Sequence, residues 1–121
     1  MTVNKLFYIL VFCSLGLISK AQETASGSLR SVLTEYSTLV KAGRLKEAVN
    51  CLSGLLLSAT PLTPTEKLGI NNNLGILHKN LGQYDLALQY YDAAESVYLN
   101  NNFNDNSYLL RIYGNKVNII R

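Results

Sequence analysis

The chain has 121 residues, with 11 Lys+Arg against 8 Asp+Glu, one His and two Cys; that length allows one small domain and not two. Lys5 and Lys20 both precede Gln22, in a stretch that holds no acid, leaving 9 of the 11 basic groups against all 8 acids in the remainder. This near-balance is not the basic stripe that binds nucleic acid. The single His78 leaves little for a histidine-based triad, and one thiol beyond Cys13 makes neither an internal disulfide nor a four-ligand zinc site.

The segment 1–21, MTVNKLFYILVFCSLGLISKA, reads as a signal peptide. Lys5 supplies the positive start. Leu6 to Ile18 is an uncharged apolar run, and Ser19 and Ala21 are the small residues that a signal peptidase needs, which puts the cut before Gln22. At about 1.5 Å per residue the run is roughly 20 Å long, short of the roughly 30 Å hydrocarbon core. An uncleaved membrane anchor is the rival reading. A lipoprotein is disfavoured, because Cys13 sits inside the apolar run behind Phe12. The protein is therefore expected outside the cytoplasm, periplasmic or extracellular, where Cys51 is either a buried inert thiol or an unpaired one; Leu52, Leu55 and Leu56 around it favour burial.

Gln22 to Ser28 (QETASGS) is a polar linker. Leu29, Val32, Leu33, Tyr36, Leu39 and Val40 then follow helical spacing, with Ala42-Gly43 as the stop. Leu45, Ala48, Val49, Leu52, Leu55 and Leu56 make a second helix that closes before Pro61. Thr63-Pro64-Thr65-Glu66 is a helix start with a capping box, opening a third pattern of Leu68, Ile70, Leu74, Ile76 and Leu77 that ends at Leu81-Gly82. Tyr84, Ala87, Leu88, Tyr91, Ala94, Val97 and Tyr98 make a fourth. Asn100 to Asn106 is a turn-rich loop in which Asp105 can cap a fifth pattern of Leu109, Leu110, Ile112, Tyr113, Val117, Ile119 and Ile120. No segment alternates with period two, so the class is all-α.

Self-similarity distinguishes a repeat from a simple bundle. Gly43-Arg-Leu-Lys-Glu-Ala48 and Gly82-Gln-Tyr-Asp-Leu-Ala87 share the frame Gly, x, large apolar, x, x, Ala. A second echo, at a slightly longer spacing, maps Leu68 to Leu110, Ile70 to Ile112, Asn73 to Asn115, Leu77 to Ile119 and Lys79 to Arg121. Leu74-Gly75, Gly82, Tyr84, Ala87, Tyr91 and Ala94 resemble the tetratricopeptide repeat, with Asn71, His78 and Leu99 departing from its usual Trp, Tyr and Pro. The likeness covers about residues 29–121. It is clearest in Asn71–Leu99, degenerate in the first repeat, and confined to one helix in the third, where Lys116 and Val117 stand in place of Leu74 and Gly75. The resemblance implies antiparallel helix pairs stacked as a short right-handed solenoid of about two and a half repeats. The fifth pattern runs to Arg121 without a Gly or Asn stop signal at its end, so the third repeat is expected to lack its second helix, and the last helix to fray or self-associate.

For function the resemblance implies a non-catalytic scaffold or adaptor that binds a protein or peptide on its concave face, without a cofactor or metal. Asparagines at the places of Asn73 and Asn115 would clamp a peptide backbone, since a carboxamide both donates and accepts. Ile76, Lys79, Asn80, Asn118 and Arg121 would line the same wall, and its two cations would favour an acidic or C-terminal peptide. Thr34 stands at the corresponding place of the first repeat. The alternative is the sensory input region of a longer membrane signalling protein such as a histidine kinase, joined to the membrane through the leader or a further C-terminal region. His78 is expected to pack between helices, and no spacing of nucleophile and base indicates an enzyme. The exported protein is expected to start at Gln22; mass spectrometry that found Met1–Ala21 retained in the membrane fraction would contradict the cleavage.

Overall fold

The structure is a computed structural model that describes residues 28–120. The expected leader and residues 22–27 of the linker lie outside the described residues, as does Arg121; Ser28, placed at the end of the linker, is already helical. The described residues form five helices and no strand: α1 (28–41), α2 (Leu45–Leu57), α3 (Pro64–Asn80), α4 (Tyr84–Leu99) and α5 (Ser107–Ile120).

The helix ends are built as the local sequence dictates. Gly43 (φ +74°) and Gly82 (φ +77°) are the positive-φ residues among those described. Each closes a Schellman turn: Arg44 N donates to Leu39 O at 2.9 Å and Gly43 N to Val40 O at 3.0 Å, while Gln83 N donates to His78 O at 2.8 Å and Gly82 N to Lys79 O at 2.9 Å. At the start of α3, Glu66 N donates to Thr63 Oγ1 at 3.1 Å and Thr63 N to Glu66 Oε2 at 2.9 Å, so the capping box is complete. Asp105 lies just outside the start of α5, accepting from Ser107 N at 2.9 Å and Ser107 Oγ at 2.7 Å. Those bonds hold its carboxyl below the usual range.

α3 is central and buries two faces. Ile70, Leu74 and Leu77 join Leu39 of α1 and Ala48, Leu52 and Leu55 of α2 in one core cluster. Leu68 joins Ala87, Tyr91 and Ala94 of α4 and Ile112 of α5 in another. Pro64 and Lys67 share a groove with Val97 and Asn101, while Gly75 faces Tyr91, so α3 and α4 run antiparallel. They approach so closely that a Cβ on Gly75 would lie 2.4 Å from a Tyr91 ring carbon. Ala87 and Ala94 are fully buried beside this contact, as a tight crossing requires.

Several apolar positions of the sequence pattern do not enter the core. Leu33 and Val40 of α1 are 38% and 36% exposed, and Tyr84 of α4 is 55% exposed. In α5 only Ile112 is fully buried, and Leu110, Tyr113, Val117 and Ile120 face outward. Periodicity marks the apolar residues of a helix but not which of them meets a neighbour, and α5 packs on α4 and α3 along one face only.

Two helix glycines separate backbone propensity from packing. Gly54 has open space where its Cβ would be, so Gly54→Ala should stabilise by about 0.5–1 kcal/mol. Gly75→Ala, like Ala87→Leu, should destabilise by about 1–3 kcal/mol through overpacking against the facing helix. Urea unfolding of the three variants checks this; equal signs for the two glycine substitutions would refute the close approach of α3 and α4.

Candidate functional site

The residues expected on a binding wall come from α3 and α5. On α3, Asn73, Ile76 and Lys79 are half-buried and Asn80 is exposed; on α5, Asn115 is half-buried and Asn118 exposed. Arg121 lies outside the described residues. Ile76 packs against the second core cluster, so part of its side chain belongs to the core.

The two helices are joined by an amide pair. Asn115 Nδ2 donates to Asn72 Oδ1 at 3.0 Å, and Asn72 is itself 6% exposed. The sequence echo pairs Asn115 with Asn73, whereas the contact falls on Asn72. Equivalent residues of two stacked helices point the same way; the residue that touches the next helix sits on the edge, one position earlier. The remaining signal for Asn72 in the sequence was its place in the run Asn71-Asn72-Asn73. Asn71 is buried too, its Nδ2 donating to Lys67 O at 2.9 Å within α3. The Asn115 carboxamide keeps its carbonyl oxygen for another donor. Thr34, expected from the sequence to correspond to Asn73, donates its hydroxyl to Arg30 O at 2.9 Å within α1.

Behind α5 lies the strongest electrostatic feature of the described residues. Lys116 Nζ bridges Asp92 and Glu95 of α4, and its side chain is only 19% exposed. Tyr113 Oη donates to Glu95 Oε1 at 3.1 Å, and the ammonium stands 5.9 Å from the Tyr113 ring centroid. Burial pulls the Lys116 pKa down, but the hydrogen bonds and charges of Asp92 and Glu95 outweigh it and leave it above the ordinary lysine value. In the sequence, Asp92 and Glu95 are i, i+3 neighbours and Lys116 is the counterpart of Leu74, and nothing local joins the two. An apolar position filled by lysine opposite paired carboxylates is the signal that links them.

His78 serves packing. Its ring stacks on Tyr90 with centroids 5.1 Å apart, and Nδ1 lies 2.7 Å from Gln83 Oε1. Cys51 is a half-buried free thiol whose Sγ donates to Val32 O at 3.4 Å; burial first, then the Glu35 charge, pushes its pKa up and away from thiolate chemistry. Tyr91 is fully buried with an unpartnered hydroxyl, which burial holds in its neutral form. Among the described residues no group of His, Cys, Asp and Glu could hold a metal, and no helix is long and apolar enough to cross a membrane.

The Lys116 linkage has a definite sign. A lysine pKa raised by folding contributes stability in full below its ordinary 10.5, and that contribution disappears as the pH rises through the raised value. Tyr113, held up chiefly by its bond to Glu95, and Tyr91, held up by burial, act in the same direction. Lys116→Gln should therefore be less stable than the parent at neutral pH, and the gap should narrow above roughly pH 10. Urea midpoints across that range test it; a gap independent of pH would mean that Lys116 acts through packing alone. No protein-family model, curated protein or solved structure matches the chain.

Proposed function

We propose that this chain is a non-catalytic peptide-binding module of an exported protein, built as a short right-handed helical-repeat solenoid of the tetratricopeptide kind. The observation that carries the reading is the Asn72–Asn115 amide bond. It couples α3 directly to α5, two helices related by the longer sequence echo, while α4 packs on both. A helix that touches its own hairpin partner and its counterpart in the next repeat is how stacked helix pairs extend a common wall. Asn73, Ile76, Asn80 and Asn118 belong to these same two helices, and Lys79 of α3 would supply a cation.

On this reading, carboxamides bind the backbone of an extended peptide. Lys79, with Arg121 as its counterpart, selects an acidic side chain or a free C-terminal carboxylate. Such a wall has no nucleophile and needs no cofactor.

A random peptide library with free C-termini, panned on the full chain, tests the proposal. Selected peptides should be acidic or depend on their terminal carboxylate, and Asn73→Ala and Lys79→Ala should each weaken them about 5- to 10-fold with the helical circular dichroism unchanged. Peptides that bind equally well to both variants would refute the wall as the site.

A further inference from the structure

We infer that α5 is a hinged lever, pivoted at its start on an aromatic cluster and latched over its far half by ion pairs to α4, so that ionic strength governs its release. The pivot lies where the chain turns back. Tyr98, near the end of α4, stacks on Phe103 with centroids 5.2 Å apart, and Phe103 meets Tyr108 of α5 edge to face at 5.6 Å. Tyr98 Oη donates to Asn106 Oδ1 at 2.7 Å across the same turn, and Phe103 and Tyr108 both pack on the second core cluster. None of these pivot contacts involves a charged group, so salt leaves them in place.

From the pivot α5 runs back along α4, which brings Tyr113 and Lys116 beside Glu95 and Asp92. After Ile112, the apolar side chain of α5 that packs on the cluster among the described residues is Ile119, and it is only partly buried. The remaining contacts of this half are polar: Lys116 to both carboxylates, the Tyr113 hydroxyl to Glu95, and Asn115 to Asn72 of α3. Asp92 and Glu95 are the charged groups that face Lys116 from α4, Tyr113 stands beside it on α5, and α3 contributes the uncharged Asn72. The α3–α4 hairpin is the opposite case. Ala87, Tyr91 and Ala94 are fully buried, the Tyr91 ring lies against Gly75, and no ion pair joins the two helices among the described residues.

The latch is open to ions on one side. The Asp92 side chain is 67% exposed, so salt screens that half of the bridge, while Lys116 and Glu95 are mostly covered. Weakening either carboxylate leaves the ammonium short of counter-charge in a place that water reaches poorly, and the seam then opens more often. A 14-residue helix taken off its support is marginal in water, so release melts the residues beyond the pivot instead of swinging a rigid rod. Asn115 and Asn118 ride on this half. Release therefore also takes apart the proposed peptide wall; that consequence rests on the wall reading, and the lever itself does not.

Amide hydrogen exchange of the full chain, with no peptide present, reads the lever. Lys116→Gln should speed exchange from Ile112 to Ile120 at least ~5-fold and leave the amides from Leu86 to Val97, and those of α3, within ~2-fold of the parent. Asp92→Asn, which changes an exposed carboxylate, should act on the same amides to a smaller degree. Raising NaCl from about 0.05 M to about 1 M should speed those α5 amides in the parent and leave them unchanged in Lys116→Gln. Nuclear Overhauser contacts between Phe103 and Tyr108 should survive in both variants. Acceleration shared equally by α3 and α4 would mean that α5 opens only with the whole fold, and would overturn the inference. So would α5 exchange that ignores both salt and the loss of Lys116, including exchange already at the unprotected rate in the parent. Loss of the Phe103–Tyr108 contacts would overturn the pivot, since α5 would then leave as a whole.

Discussion

Tyr91 fills the space that any side chain on Gly75 would need, and with that contact α3 and α4 are locked at a separation that only small residues tolerate. Ala87 and Ala94 follow from it, since larger side chains at those places would push the helices apart. The position of α3 then determines what its other face can reach: Ile70, Leu74 and Leu77 turn toward α1 and α2 and complete their core. His78 is drawn into the same hairpin by stacking on Tyr90 and by its contact with Gln83. The cost is the Tyr91 hydroxyl, buried without a partner. The ring holds its place by the apolar area and shape that it contributes there.

The interface between α4 and α5 is of a different kind. Ile112 is buried there, but the position equivalent to Leu74 is Lys116, and its ammonium is neutralised by Asp92 and Glu95 instead of being packed in hydrocarbon. Such a bridge depends on several groups remaining charged and correctly placed. α5 is therefore joined to the rest by one buried isoleucine with half-buried neighbours, an ionic cluster and the Asn72–Asn115 amide pair. Specific polar contacts of this sort fix register more than they add stability, and here the register sets which residue of α3 meets α5.

Much of the candidate site was legible because its residues sit on helices whose periodicity and spacing are local properties. Asn73, Ile76, Lys79 and Asn80 could be assigned to one helix, and Asn115 and Asn118 to its counterpart, before any contact was known. Asn72 and the Lys116 cluster were not. Both are pairings between helices, and they depend on which edge of α5 meets α3 and α4. The apolar residues of α5 show the same limit: all seven fit a helical pattern, and it takes the packing to show that four of them face outward.

What the amino-acid sequence determined by itself is the class and the punctuation. Five helical periods, the glycines at 43 and 82 that adopt positive φ, and the Thr63–Glu66 capping box all follow from interactions within a few residues of one another. Only the tertiary structure decided which face of each helix is covered, which asparagine bridges α3 to α5, and how a lysine is accommodated at the position of α5 that the sequence echo pairs with Leu74. Those outcomes rest on the relative placement of helices. Hydrophobic burial is non-directional, so a sequence pattern can demand that a face be covered without specifying what covers it.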